Sequence, residues 1–252
     1  MSIKLLNIAT GNTAQPIYAP TATEIELASS ASLVAWLEGD AGFLSASGAK
    51  WHDRKTGKGY PVTGAALSAG SAINGNGALA FNGTNYATVV SGIPVGVDYS
   101  MLAVVRQRKT VAQGASSYFI GSPLSTYFSF GGNIQAGDAN FRLGTSNNTT
   151  PIITGAVDHP TNAPCLLGAY WDQSTGTQRV YFGGTLEATS GVGRASVVDS
   201  TLQVGNLTGL AGARGLIGDI AAVLIFNIDF NKAANATFAA SVNAYLKTKY
   251  AV

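Results

Sequence analysis

Apolar residues in this chain fall in short runs separated by Gly, Asn, Ser and Thr. Leu33-Val-Ala-Trp-Leu37 ends at Gly39-Asp40. Ala78-Leu-Ala-Phe81 and Tyr86-Ala-Thr-Val-Val90 flank Asn82-Gly-Thr-Asn85, where Asn-Gly is the strongest local turn signal. Ser100-Met-Leu-Ala-Val-Val-Arg106 is β-rich and long enough to cross a sheet. Tyr118-Phe-Ile-Gly121, Thr126-Tyr-Phe-Ser-Phe130 and Asn140-Phe-Arg-Leu143 are shorter strands. Leu166 to Trp171 and Gln178 to Phe182 flank Asp172-Gln-Ser-Thr-Gly-Thr177 as a hairpin, and Gly183-Gly184 turns into Thr185-Leu-Glu-Ala188. Thr201-Leu-Gln-Val204 and Asp219 to Phe226 complete the set. About a dozen strands separated by turn residues predict an all-β fold, a two-sheet antiparallel β-sandwich. No helix–strand alternation supports a parallel sheet, and no fixed-period repeat supports a propeller or solenoid.

The tail keeps a different period. From Asn231, apolar residues stand at Ala234, Phe238, Val242, Tyr245 and Leu246, one face of a C-terminal amphipathic helix. Asn231 is placed to cap its start, and Lys247 and Lys249 suit the negative end of its dipole. Its polar face carries little charge, so the helix is expected on the flank of the sandwich rather than on a membrane. The first thirty residues differ again. The prolines of Gln15-Pro-Ile-Tyr-Ala-Pro20 interrupt any regular element, and Thr21 to Ser32 is small and polar with Ile25 and Leu27 alternating. Residues 1–30 read as an arm or linker for assembly, with room for one strand, and 31–252 as the domain. An ordinary edge strand of the main domain is the other reading of 1–30.

Composition narrows the function classes. Hydrophobic residues make up 46% of the 252, enough for a sizeable core. Charged residues make up 11%, against about 25% in ordinary domains, and Glu24, Glu26, Glu38 and Glu187 are the only glutamates. The surface must be built from Ser, Thr, Asn, Gln, Gly and backbone, as in a protein packed against neighbours or working outside a cell; plain low-charge β composition gives the same pattern. A net charge of +2 offers no electrostatic case for nucleic acid, and Arg106-Gln-Arg-Lys109 reads as a solvated strand end. The single cysteine, Cys165, excludes an intrachain disulfide framework and reads as a buried small hydrophobe. The stretch before Asn7 lacks the apolar core of a secretion signal, and no run approaches a membrane span. The expectation is synthesis in a cytoplasm, with any later exposure following lysis or a non-standard route.

The order of segments resembles the laminin-G-like, concanavalin A-like jelly-roll family over about residues 32–250. The matching pieces are Leu33-Val-Ala-Trp36, Lys50-Trp-His-Asp53 with Thr56-Gly57, Leu79-Ala-Phe-Asn-Gly83 with Tyr86, and Tyr99 to Arg106. The hairpin Leu167–Phe182, Leu202-Gln-Val-Gly205, Gly218 to Asn227 and the terminal Tyr245-Leu246 follow in order. Two positions depart from the family pattern: Gly183-Gly184 stands where Asn-Gly is frequent, and Asp219 where Glu is commoner. The resemblance implies a jelly roll whose members bind glycans, proteins or calcium and whose relatives include polysaccharide hydrolases, so fold alone does not give function.

Retaining glycosidase chemistry needs two carboxylates about 5 Å apart, which on a strand means positions i and i+2 or i+4. No such pair stands within a strand core: Glu24-Ile-Glu26 lies outside the matched region and reads as the solvent face of an extended segment, and Glu38-Gly-Asp40 falls where the run from Leu33 ends. His52 and His159 each neighbour an aspartate, but adjacent side chains of an extended chain point apart, so both read as surface histidines. The chain is therefore expected not to be an enzyme. Calcium is the one cofactor left open, because loop oxygens suffice, with Asp40 and Asp219 as metal candidates. Trp51, Tyr60, Tyr127 and Trp171 lie near turns and are the carbohydrate-binding candidates, weighed against core or rim packing; Trp36 reads as core. A sandwich without catalytic carboxylates, a low-charge surface and a proline-broken arm fit a bacteriophage virion component, a capsid decoration or fibre-like protein. On that reading the arm contacts other virion subunits, and a homotrimer is expected. The alternative is a carbohydrate-binding adhesin module recognising surface glycans, and the third reading is a polysaccharide hydrolase.

Overall fold

The computed structural model describes residues 20–90, 97–114, 116–122, 128–147, 150–190, 201–206 and 214–252. Two antiparallel sheets pack face to face as a jelly-roll sandwich. One is eight-stranded, in the order Thr185–Ser190, Thr177–Phe182, Pro164–Asp172, Tyr99–Gln107, Ile217–Phe226, Leu79–Asn82, Ser68–Ala69, with Leu33–Glu38 also on Ile217–Phe226. The other is nine-stranded and runs from Thr150–Thr154 through Asn140–Asn147, Phe128–Ile134, Ser116–Gly121, Thr201–Val204, Tyr86–Val90 and Gly59–Thr63 to Lys50–His52, with His159–Pro160 on Asn140–Asn147.

Ile217–Phe226 organises the first sheet. Its Ile217 to Ile220 pair with Leu79–Asn82, and its Ala222 to Phe226 pair with Leu33–Glu38 along the same edge. Tyr99–Gln107 takes the other edge. The run Ile220-Ala-Ala-Val-Leu-Ile-Phe226 is continuously apolar because both faces of this strand are covered. Alternating side chains point to opposite faces. Ile220, Val223 and Ile225 enter the core between the sheets, while Ala222, Leu224 and Phe226 meet a second core beneath two helices.

Those helices are α1 (Ala22–Ser29) and α2 (Ala236–Tyr250). The extended arm expected up to residue 30 gives way to α1. Period-two spacing of Ile25 and Leu27 is outweighed by a capping box. Thr21 Oγ1 accepts from the Glu24 amide at 3.2 Å, and Glu24 Oε2 accepts from the Thr21 amide at 2.9 Å. Leu27 is fully buried in the second core, so residues 21–30 pack onto the domain. Residues 1–19 lie outside the described part. In α2, Ala239, Val242, Leu246 and Tyr250 face the sheet, with Phe238 and Tyr245 partly buried beside them. The cap is Asn235 rather than Asn231, which instead accepts from the Tyr181 hydroxyl at 3.0 Å. Among the described residues, no helix is long and apolar enough to cross a membrane.

The Asn82-Gly83 turn lies between two strands, as its sequence predicts. Its flanking strands belong to different sheets, so it is a corner from one sheet to the other and not a hairpin. Asn82 Oδ1 accepts from the Thr84 and Asn85 amides, Asn85 Oδ1 accepts back from the Asn82 amide, and Gly83 takes φ +90°. The hairpin from Pro164–Asp172 to Thr177–Phe182 and the Gly183-Gly184 turn form as expected, both glycines at positive φ.

Candidate functional site

At one end of the helical layer, α1, α2 and the end of Leu33–Glu38 enclose an open pocket of about 850 Å³. Its polar floor is assembled from distant positions. Trp36 and Glu38 stand two apart on one strand face, and Trp36 Nε1 donates to Glu38 Oε1 at 3.2 Å. The turn after Lys50–His52 is pinned by buried Asp53, whose Oδ2 accepts from the Trp36 amide at 2.7 Å and Oδ1 from the Thr56 amide at 2.6 Å. That pin carries Arg54 over the Trp36 ring, 4.4 Å from its centre. Arg54 then reaches Glu38 Oε1 at 2.7 Å and Glu24 Oε1 at 2.8 Å. The next residue, Lys55, donates to the Ser30 and Leu33 carbonyls at 2.6 and 3.1 Å, so consecutive basic residues hold both ends of α1.

Tyr245 of α2 is the hub. Its hydroxyl lies 2.9 Å from Glu24 Oε1 and 3.1 Å from Glu38 Oε1. It accepts from Lys249 Nζ at 3.0 Å and Arg54 Nη1 at 3.3 Å. Lys249, one turn on, also donates to Glu38 Oε1 at 2.7 Å. Burial first, and then the Glu38 charge, push the Tyr245 hydroxyl far above its ordinary range, so it stays protonated. Both carboxylates are nearly excluded from solvent, as buried charges require only when paired. Phe43, Thr23 and Thr248 line the walls.

The sequence candidates lie elsewhere, with one exception. Trp51 is 0% exposed, packs between the sheets and donates from Nε1 to the Glu38 carbonyl at 2.7 Å. Tyr60 is buried in the same core, and its hydroxyl is pushed up to about 12 by burial and by Asp53. Trp171 is 2% exposed and stacked on Tyr99, its Nε1 donating to Gln173 at 3.0 Å. None of the three offers a ring face to a ligand in solvent, because each fills core volume. Tyr127 lies outside the described residues. Asp219 is fully buried, with Arg108 at 2.8 Å and Arg106 at 3.5 Å answering its charge. Asp40 is exposed, caps a short 3₁₀ turn by accepting from the Gly42 amide, and alone among the candidates lines the pocket. Among the described residues, no three His, Cys, Asp or Glu side chains group as metal ligands.

Three local readings change. Glu24 is not on the solvent face of an extended segment, and its carboxylate partner in space is Glu38 rather than Glu26. His159 is buried, stacked on Phe182 at 3.6 Å, with Nε2 2.9 Å from Glu187. The basic cluster is only partly solvated: Arg106 and Arg108 pair with Asp219, and Lys109, 1% exposed, donates to the Ser116 and Gly215 carbonyls. Burial lowers the Lys109 ammonium to about 8. Trp36 and Cys165 are core, as expected.

No protein-family model matches the chain, and no curated protein does. Its likeness is to solved structures. Domain 4 of AbnA, a GH43 extracellular arabinanase from Geobacillus stearothermophilus solved with arabinotriose, is 17% identical with a TM-score of 0.58, covering 82% of this chain and 98% of that one. The botulinum neurotoxin type C structure, whose cell entry depends on two ganglioside molecules, is 13% identical with a TM-score of 0.56, covering 86% and 52%. A Trypanosoma rangeli sialidase mutant with trans-sialidase activity is 15% identical with a TM-score of 0.58, covering 87% and 33%. The chain thus spans about half of the toxin chain and a third of the sialidase chain. At these identities the likeness is one of fold, a concanavalin-like β-sandwich.

Proposed function

We propose that this chain is a non-catalytic carbohydrate-binding module carried on a bacteriophage virion, as a capsid decoration or fibre-like component. The observation that carries the binding reading is the pocket under α2, where carboxylate, ammonium and hydroxyl groups stand beside the rings of Phe43 and Tyr245. Fold neighbours that bind sugars, including the domain solved with arabinotriose, support it by analogy. The non-catalytic part is supported by the close acids: the Oε1 atoms of Glu24 and Glu38 are both taken up by Arg54 and Tyr245. The virion part is supported by a surface drawn from a chain with only 11% charged residues.

The test is a glycan array with the full chain and with Ala244→Trp, which blocks the pocket mouth from an exposed helix position. Binding lost in the variant is expected; a blank array removes the carbohydrate reading. Residues 1–19 are proposed as the segment that joins other subunits, with a homotrimer as the assembled state. Deleting residues 2–19, which spares the Thr21–Glu24 cap, is expected to lower the solution mass to a monomer's and to abolish virion incorporation. Unchanged mass and incorporation would remove that role.

A further inference from the structure

Building on the carbohydrate-binding reading, we infer that the pocket under α2 selects a neutral saccharide, held by neighbouring hydroxyls on Glu38, and rejects acidic sugars. Three carboxylates line it, Glu24, Glu38 and Asp40, against two cations, Arg54 and Lys249. The cations are already committed. Arg54 places Nη1 on Glu38 and Nη2 on Glu24, and Lys249 Nζ sits 2.7 Å from Glu38 Oε1 and 3.0 Å from the Tyr245 hydroxyl. Their charge is already balanced by Glu24 and Glu38, so an incoming carboxylate would bring a further negative charge against two cations that others neutralise.

The acceptor side is open. Glu38 is 4% exposed and lines the pocket. Its Oε1 takes Trp36, Arg54, Tyr245 and Lys249, while Oε2 has no bonded partner among the described residues. An ionised carboxylate oxygen accepts only, and strong O–H donors suit it. A second ammonium would meet Arg54 and Lys249 at close range, so uncharged hydroxyl donors fit best. Thr23 and Thr248 on the walls can donate or accept, which suits the remaining hydroxyls of a sugar ring, and the Phe43 and Tyr245 rings offer apolar surface for its C–H face.

The experiment titrates the full chain with paired oligosaccharides that differ only in a terminal sialic acid, such as a ganglioside headgroup and its asialo form. The neutral member is expected to bind tighter on the order of tenfold, because like charges across an interface are strongly disfavoured. Asp40→Asn, which keeps the turn cap while removing one charge outside the Arg54–Tyr245 network, is expected to narrow that ratio. Ala244→Trp is expected to abolish both. Equal or tighter binding of the sialylated member, lost in Ala244→Trp, overturns the selectivity and leaves the binding reading standing. Glycan binding that survives Ala244→Trp overturns the pocket assignment. Binding of neither member, together with a blank array, takes down both readings.

Discussion

The two faces of the eight-stranded sheet are buried by different means. The inner face meets the second sheet with apolar side chains such as Leu37, Val105, Leu167 and Val223, and the polar tip of Trp51 finds a backbone carbonyl. The outer face is covered by two helices. It is apolar at its centre, around Trp36, Leu224 and Leu246, and charged at one end, around Glu24, Glu38, Arg54, Tyr245 and Lys249. Sheet on sheet excludes water over a continuous area. Two short helices laid on a sheet leave an open end, where polar groups must satisfy one another and a pocket remains. The interior therefore specifies the fold, and the helical flank presents hydrogen-bonding groups to an open pocket.

Substitution separates the two regions. Phe130→Ala, in the interior against Phe119 at 5.9 Å, is expected to cost about 3–5 kcal/mol in denaturant unfolding, because the closed core cannot refill the cavity. Tyr245→Phe removes one hydroxyl from the flank network and is expected to cost about 1–3 kcal/mol. Its sharper readout is hydrogen exchange: amides of α1 should lose protection while those of Tyr99–Gln107 keep theirs, since α1 hangs on Glu24 and Leu27. Equal loss of protection in both would erase the distinction between interior and flank.

The sandwich was legible because its signals are local. The turn Asp172–Thr177, the Gly183-Gly184 pair and the apolar run up to Phe226 each state their role within a few residues. The first helix was misread because Ile25 and Leu27 mimic a strand over four residues, while the informative pair was Thr21 and Glu24, three apart. The corner at Asn82-Gly83 carries the same dipeptide as a hairpin, and only tertiary pairing decides between them. The pocket was not legible at all. Its polar groups come from α1, from Glu38 and Arg54, and from α2, and no local motif links them. Trp51, Tyr60 and Trp171, each weighed against core packing in the sequence, fill the core, because a ring beside a turn can plug the interior as well as line its rim.

The strand Ile217–Phe226 has a consequence for the order of events in folding. It joins Leu33–Glu38, Leu79–Asn82 and Tyr99–Gln107 into one sheet, and among the described residues it is the only ladder partner of Leu33–Glu38. A ribosome delivers that strand long after the three it unites. Until then their edges stay open to pairing with other chains, and the closing contacts span most of the sequence, which slows their formation. The sheet's earliest strand thus has no ladder to join, among the described residues, before Ile217–Phe226 has been made.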